Sequence, residues 1–198
     1  MSRPVVIVFA RAPRLGTVKR RLARDIGVRE ALRFHRNALS RLLRELRDLR
    51  GVDVVIAITP NRARDDLASR YRRIGQGRGD LGARMARAFR TFPRRRVVLI
   101  GSDIPGICAV DIREGLRKLR GCDAVFGPAM DGGYWLIGMT GRRPAAPFGN
   151  VRWSSSHALD DTIANFAGHR IRYLRHLRDI DDAAAFYSTV TDFARLRG

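Results

Sequence analysis

The chain has 198 residues, 45% of them hydrophobic, which suits one domain with a sizeable core. No apolar run is long enough to span a membrane, and the N-terminal VVIVF (5–9) is too short for a signal peptide and lacks a cleavage site. The two cysteines, Cys108 and Cys122, form no CxxC pair and the four histidines are scattered. This pattern argues against a zinc site and predicts a reduced, cytoplasmic setting.

The formal net charge is +20, and arginine supplies nearly all of the positive charge because Lys19 and Lys118 are the only lysines. Such a basic chain suits nucleic acid, an anionic membrane surface or a phosphate-bearing substrate. However, the arginines recur along almost every segment and are not interleaved with aromatic residues, as they are on single-strand binding surfaces. We therefore expect most of them to lie on solvated faces, and nucleic acid is not the expected partner.

Short apolar runs alternate with amphipathic stretches along the chain. In chain order, the pattern predicts a strand at 5–9, a helix opening at the basic cluster 19–21, a helix at 29–49, a strand at 54–58, a short helix after Asn61, a helix at 81–92, a strand at 97–101, a helix at 109–119, strands at 124–127 and 134–139, a helix from Ser154 or Ser155 to about Phe166, a strand at 171–174 and a final helix from Asp181 or Asp182. Unbroken Val/Ile strands between helices predict a single α/β domain over residues 1–198, with a parallel sheet covered on both faces.

Ligands of open α/β sheets bind beyond the carboxyl ends of the strands, and the first such end is followed by ARAPRLGTVKRRLA (10–23). Backbone N–H groups at a loop-to-helix junction, with Lys19 and Arg21, suit a phosphate. The stretch contains neither GxxxxGK[ST] nor GxGxxG, so a basic helix start in a basic protein explains it equally well.

The strand at 97–101 is followed by GSDIPGI (101–107), which places Asp103 just past a strand end. A carboxylate there can hold Mg²⁺ or Mn²⁺, which take oxygen ligands and bridge substrate phosphates. The alternative is that Asp103 caps a turn before the next helix.

Two further acidic stretches lie near strands. In GPAMDGG (127–133), glycines beside Asp131 permit a positive φ and a close approach of backbone to ligand, although Asp-Gly is also a common turn. DIDD (179–182) follows the last strand, and there helix capping competes with a second metal ligand.

Six stretches together resemble the bacterial DUF2064 family in content and order: FARAPRLGTVKRRLA (9–23), QGRGDLGARM (76–85), GSDIPGI (101–107), GPAMDGGYWLIGM (127–139), VRWSSSHAL (151–159) and RDIDD (178–182). The likeness runs from about Val5 to about Phe186. It implies a single-domain GT-A-like (Rossmann-like) three-layer sandwich with a mostly parallel central sheet. It also implies a distant similarity to the molybdenum-cofactor and phospholactate guanylyltransferases.

The resemblance assigns roles to individual residues. Substrate or nucleotide binding is implied for Ala10, Arg11, Ala12, Lys19, Arg21, Gln76, Asp80, Arg84, Gly132, Gly133 and Tyr134, with Gly77, Leu81 and Gly82 in the same blocks. Asp103 stands where the fold places its metal-binding acid, with Asp181 as a second ligand for Mg²⁺ or Mn²⁺. Asp131 is the candidate catalytic residue, orienting an acceptor hydroxyl or acting as general base. Tyr134 and Trp135 form either an acceptor platform or part of the core.

The chain departs from the family pattern at three places. Arg20 stands where threonine is frequent, and Ser155-Ser156-His157 is a loose form of a tryptophan-serine-threonine stretch. Asp182 replaces a usual threonine, which weakens the case for Asp181 as a ligand.

The leading hypothesis is a metal-dependent transferase, glycosyltransferase-like, that binds a nucleotide-diphosphate sugar and an unknown acceptor. The alternative is a nucleotidyltransferase that joins an NTP to a phosphorylated acceptor, although the first loop lacks the LxxGxGxR pattern of many such enzymes. A further alternative is a basic nucleic-acid-binding protein. The pattern is compatible with an oligomer and leaves donor, acceptor and stereochemical outcome undetermined.

Overall fold

A computed structural model of the protein describes residues 2–63, 70–104 and 106–178. The elements are β1 (Val5–Arg11), α1 (Leu22–Ile26), α2 (Val28–Arg47), β2 (Asp53–Thr59), β3 (Arg72–Gly75), α3 (Leu81–Arg90), β4 (Val97–Gly101), α4 (Ala109–Lys118), β5 (Ala124–Pro128), β6 (Tyr134–Met139), α5 (Ala158–Ala164) and β7 (Ile171–Tyr173). Within these ranges, none of the helices combines the length and apolar content needed to cross a membrane.

The strands form one sheet in the order β3-β2-β1-β4-β6-β5-β7. All neighbouring pairs are parallel except those of β6, which runs antiparallel to β4 and β5. Because Ile100 near the end of β4 pairs with Leu136 near the start of β6, the segment that enters β6 lies at the edge where β1 and β4 end. The predicted mostly parallel sheet is confirmed, and its reversed strand brings the Asp131 turn to the carboxyl edge.

Apolar cores lie on both faces of the sheet. Val6 and Val8 of β1 face a core with the leucines of α2 and with α4, whereas Val5 and Ile7 face the aromatic core under α3. This alternation follows from the two-residue period of a strand. Burial on both faces explains the unbroken apolar strands and confirms the predicted three-layer arrangement.

Three features differ from the sequence-based expectation. The edge strand β3 was not predicted, because RRIG carries arginines at largely exposed positions and has no apolar pattern. Helix α5 begins after His157 and not after a capping serine, since Ser154 adopts a φ of 61° and lies in the preceding loop. Helix α1 begins at Leu22, just after the basic cluster.

The predicted final helix lies outside the described residues, as does most of the segment after Asn61 in which a short helix was predicted. One domain over 1–198 therefore stays a prediction.

Candidate functional site

A cavity of about 310 Å³ opens at the carboxyl edge of the sheet. Its lining combines the end of β4, the turn before β6, the first turns of α3 and the loop before α5. Two carboxylates predicted from the sequence, Asp103 and Asp131, both line it, although 28 residues separate them in the chain. This is the location at which open α/β sheets bind ligands.

Asp103 follows β4 and is surrounded by polar groups. Lys19 Nζ lies 3.8 Å from Oδ2, while His35 Nδ1 and Ser102 Oγ lie 3.5 and 3.3 Å from Oδ1. Burial raises the pKa of Asp103, but the His35 ring, the Lys19 ammonium group and the Ser102 hydroxyl outweigh it and hold the pKa at about 2. The side chain is 52% exposed, so an ionised carboxylate faces the cleft at neutral pH.

Lys19 reaches Asp103 from the loop after β1. Its side chain is only 4% exposed and its backbone φ is 45°, a left-handed conformation that costs energy for a residue with a side chain. Strained residues of this kind cluster at functional sites, where the surrounding structure holds them. The sequence predicted Lys19 as a phosphate ligand, and the structure brings its ammonium group to the same carboxylate.

His35 was not predicted as a site residue. The sequence placed it among the leucines of α2 as part of the buried stripe, and the side chain is indeed buried, at 3% exposure. Its Nε2 lies 2.9 Å from the carbonyl oxygen of Arg11, and its Nδ1 has no hydrogen-bond partner among the described residues. A histidine on an otherwise apolar helix face was the signal for its role, but periodicity alone does not separate this from core packing.

The donors around Asp103 fit a divalent cation in kind. A half-exposed carboxylate, a neighbouring hydroxyl and a buried nitrogen, which has no hydrogen-bond partner within residues 2–63, 70–104 and 106–178, are oxygen and nitrogen ligand atoms grouped at Asp103. In the part of the chain that the structure describes, no group of three or more His, Cys, Asp or Glu forms a metal cluster. Asp181, the predicted second ligand, lies outside the described residues.

The Asp131 turn is shaped by its own backbone. Oδ1 of Asp131 accepts the N–H of Gly133 at 2.9 Å, so one oxygen is used within the turn. Gly132 has a φ of 83°, and a Cβ there would lie 2.1 Å from the carbonyl oxygen of Ser156. Gly132 is therefore required for contact with the loop before α5, whereas the sequence suggested a close approach to ligand. Gly133 does line the cavity.

Aromatic rings form one wall of the cavity. Tyr134 and Trp153 both line it and meet edge to face, with ring centroids 6.5 Å apart. The Tyr134 hydroxyl is 3.4 Å from Thr162 Oγ1, and burial raises its pKa. Gly82 lies against the Trp153 indole, where a Cβ would be 2.8 Å from the ring. Trp153 belongs to a predicted motif, but its place in this wall was not foreseen.

Trp135 belongs to the core. It is 2% exposed and donates its indole N–H to the carbonyl oxygen of Arg175, which supports the core alternative for this residue.

The residues of the predicted second block hold the strand ends together. The buried Gln76 donates its amide N–H groups to the carbonyl oxygens of Ala10 and Ala57 and accepts from Arg84. Asp80 caps α3 by accepting the N–H of Ala83 at 2.7 Å. The side chains of Gln76, Asp80 and Arg84 thus form hydrogen bonds within the protein, and those of Gln76 connect the ends of β1 and β2.

The predicted residues of the first loop lie in or just after β1. Ala12 is buried and donates its N–H to the carbonyl oxygen of Thr59, while Arg11 is exposed and donates to the carbonyl oxygen of Thr17. Arg21 is exposed immediately before α1. These positions place the loop beside Lys19 at the same edge of the sheet.

The fold is shared with several solved structures. A candidate nucleotide-diphospho-sugar transferase of Desulfovibrio desulfuricans G20 is 30% identical with a TM-score of 0.81, over 92% of this chain and 84% of that chain. The 4-diphosphocytidyl-2C-methyl-D-erythritol synthase of Anaerococcus prevotii DSM 20548 is 10% identical with a TM-score of 0.63, over 100% and 99% of the two chains. Rv0371c of Mycobacterium tuberculosis H37Rv, crystallised with manganese, is 14% identical with a TM-score of 0.50, over 93% and 97%.

Among curated proteins, none is significantly similar in sequence. A family model, described as uncharacterised protein conserved in bacteria (DUF2064), matches residues 42–155. This match covers more than half of the chain and includes the Asp103 and Asp131 segments. The resemblance inferred from the motifs is confirmed, and the chain belongs to the DUF2064 family.

Proposed function

We propose that the protein is a metal-dependent transferase that binds a nucleotide-diphosphate sugar at the carboxyl edge of its sheet. The observation that carries the proposal is the meeting of three separate loops: Asp103 and Asp131 line one cleft, and the buried Lys19 lies against Asp103. The 30% identity to a candidate nucleotide-diphospho-sugar transferase supports the same class of substrate.

Lys19 and Asp103 are proposed to bind the diphosphate end of the donor. Asp103 is ionised at neutral pH and half exposed, so it can hold a divalent cation against phosphate oxygens. The buried Lys19 ammonium group offsets the charge of the same phosphates. A divalent cation bound there supplies Lewis-acid stabilisation of the leaving nucleoside diphosphate. The manganese complex of a protein with the same fold supports this choice of metal.

Asp131 is proposed to orient the acceptor hydroxyl and to accept its proton. Oδ1 is fixed by the N–H of Gly133, so Oδ2 is the oxygen that we assign to the acceptor. The Tyr134–Trp153 wall then confines the acceptor beside it. Positioning of this kind makes the attack of the hydroxyl on the bound donor an effectively unimolecular step.

A nucleotidyltransferase is the second candidate, because the cytidyl-transferring synthase of Anaerococcus prevotii shares the fold over the whole length of this chain. The two activities use the same edge of the sheet and differ in product. A sugar transfer releases a nucleoside diphosphate, whereas a nucleotidyl transfer releases pyrophosphate.

The deciding experiment is a thermal-shift screen of nucleotide sugars and NTPs with and without Mn²⁺. We expect a Mn²⁺-dependent rise in melting temperature for one donor class in the wild type and its loss in Asp103→Asn. Asp131→Asn should retain that shift but turn over about 10² to 10⁴ times more slowly, as expected for loss of a general base. Asp160→Asn, an exposed carboxylate on α5, is the matched control and should behave as wild type. A wild-type protein without any metal-dependent shift across the panel would refute the proposal.

A further inference from the structure

His35 is the buried polar side chain of the site that the proposed reaction leaves without a role. It projects from the middle of α2, is 3% exposed and lies between Arg11, at the end of β1, and Asp103. The other buried residues of this helix are alanines and leucines, so a histidine here is not needed to fill the core.

The hydrogen bond to Arg11 at the end of β1 determines which ring nitrogen of His35 carries a proton. A backbone carbonyl oxygen can only accept, so Nε2, at 2.9 Å from the Arg11 oxygen, carries a proton. In the neutral ring the lone pair then belongs to Nδ1, which has no hydrogen-bond partner in the part of the chain that the structure describes. A buried polar atom without a partner costs free energy, and such atoms in a folded protein usually mark an ion, a water or a functional role.

Nδ1 faces a carboxylate oxygen at close range. It lies 3.5 Å from Oδ1 of Asp103, and Ser102 Oγ lies 3.3 Å from the same oxygen, while Lys19 is on the other oxygen, Oδ2. A lone pair facing an anion is unfavourable, so either a proton on Nδ1 or a metal cation must lie between the two atoms. A divalent cation with bonds of about 2.1 Å can be shared by two donors that are 3.5 Å apart.

We propose that His35 Nδ1 is a nitrogen ligand of the cation held by Asp103 Oδ1. The inference rests on the proposed function only for the presence of that cation. It assigns the ligand role to a residue on α2, about 70 residues before Asp103 in the chain, and connects the cation to the end of β1 through the Arg11 carbonyl. Since metal-bound histidines are usually oriented through the second ring nitrogen, the Nε2–H bond to Arg11 suits this role.

An imidazole ligand determines which metal the site prefers. Oxygen-only sites suit Mg²⁺, whereas imidazole favours first-row transition metals. The wild type should therefore bind Mn²⁺ at least about tenfold more tightly than Mg²⁺, and His35→Gln should reduce that ratio. Glutamine is chosen because its amide N–H can retain the bond to the Arg11 carbonyl oxygen.

The test uses the full chain freed of metal, with Mn²⁺ alone as the probe. Electron spin-echo envelope modulation should show ¹⁴N coupling to bound Mn²⁺ in the wild type and ¹⁵N coupling after labelling with ¹⁵N-histidine. His35→Gln should lose the nitrogen coupling and bind Mn²⁺ about 10 to 100 times more weakly by calorimetry. His157→Gln, an exposed histidine before α5, should keep both properties and serves as the control.

The outcomes separate the two proposals. The wild type can bind Mn²⁺ and Asp103→Asn fail to bind it, while the wild-type spectrum shows no coupling to a histidine nitrogen. In that case His35 is not a ligand and the proposed function stands. That result would mean that the ring only pairs with the Asp103 carboxylate. If the wild type binds no Mn²⁺, both are overturned. If His35→Gln fails to fold, a wild-type spectrum without histidine nitrogen coupling still refutes the proposal. Coupling that persists in His157→Gln, His169→Gln and His176→Gln assigns the nitrogen to His35, the remaining histidine of the four in the chain.

Discussion

Backbone conformation decides what single residues of the Asp131 turn can do. Asp131 lines the cleft, and the backbone of Ser156 leaves no room for a side chain at the neighbouring Gly132, while a contact of Gly132 with a ligand stays a prediction. The amide N–H of Leu159 also bonds to the carbonyl oxygen of Gly132. Ser156 in the loop before α5 and Leu159 in the first turn of α5 thus fix the position of the turn that carries Asp131.

Gly132→Ala should be strongly destabilising. A positive φ costs a residue with a Cβ about 1–2 kcal/mol, and the collision with the Ser156 backbone brings the expected loss in unfolding free energy to about 3 kcal/mol or more. Gly16→Ala is the matched control, because Gly16 has a φ of 71° but no atom within 4 Å of a new Cβ. It should lose only about 1–2 kcal/mol. Urea unfolding of both variants measures the difference, and equal losses would show that the close contact is unimportant.

At the level of secondary-structure elements, Arg143 secures the end of α3. Its guanidinium group donates to the carbonyl oxygens of Phe89, Phe92, Pro93 and Arg95 and lies over the Phe89 ring. The last carbonyls of a helix have no partner within the helix, and a cation there also favours the helix dipole. Arg143 thus connects the chain after β6 to the helix whose first turns line the cavity.

Arg143→Met should lower the free energy of unfolding by about 2–4 kcal/mol, because it removes the guanidinium hydrogen bonds to four backbone carbonyl oxygens at and after the end of α3. Arg142→Met, at an exposed neighbouring position, should change it by less than about 0.5 kcal/mol. Thermal and urea unfolding measure both. If the two variants are equally stable, the arginine contacts do not secure the helix end.

The loop before α5 is held by an ion pair that acid should break. Asp161 accepts the backbone N–H and the guanidinium of Arg152, with each bond at 2.9 Å. The side-chain bond from Arg152, followed by its backbone bond, holds the pKa of Asp161 at about 2, below the usual 3.8. A lowered pKa gives stability that is complete above about pH 4 and is lost as the pH falls toward 2.

Asp161→Asn should therefore be less stable than wild type at pH 7, and the difference should shrink between pH 4 and pH 2. Asp160→Asn, its exposed neighbour, should show no such convergence. Urea midpoints at several pH values test this, and a difference that persists at pH 2 would contradict the assigned role. Asp103 has a similar pKa, so the variants are compared in the same wild-type background.

At the scale of the whole molecule, the net charge of +20 remains the main compositional feature. The arginines that make internal bonds, such as Arg84, Arg95, Arg143 and Arg175, come from different parts of the fold. These arginines serve as hydrogen-bond donors to backbone carbonyls and carboxylates, whereas the distribution along the sequence predicted arginines mainly on solvated faces. The rest of the positive charge repels itself and is screened by salt.

Raising NaCl from 50 to 500 mM should increase the melting temperature, because screening relieves this repulsion. Binding to a duplex or single-stranded oligonucleotide should fall steeply over the same range and be unchanged in Asp103→Asn, as expected for nonspecific charge attraction. Fluorescence anisotropy measures it. Sequence-selective binding that survives 500 mM salt would instead support a nucleic-acid-binding protein.

The α/β class, most element positions and the family follow from the amino-acid sequence alone. The spacing of apolar residues in strands and amphipathic helices can be read from the sequence without knowledge of the fold. The motifs after β4 and before β6 are specific in their order. Asp103, Asp131 and Lys19 were predicted as site residues because charged residues beyond strand ends are visible in a linear sequence, and the structure places the two carboxylates in one cavity.

Only the tertiary structure decided the rest. β6 reverses direction, which no local pattern encodes, and this reversal brings the Asp131 turn beside Asp103. His35 and Trp153 reach the site from distant segments and look like core residues in sequence. Gln76, with the look of a binding residue, spends its amide on backbone carbonyls. The surroundings of these residues depend on segments that are distant in the chain. Their hydrogen-bond partners and packing neighbours come together only when the sheet has formed.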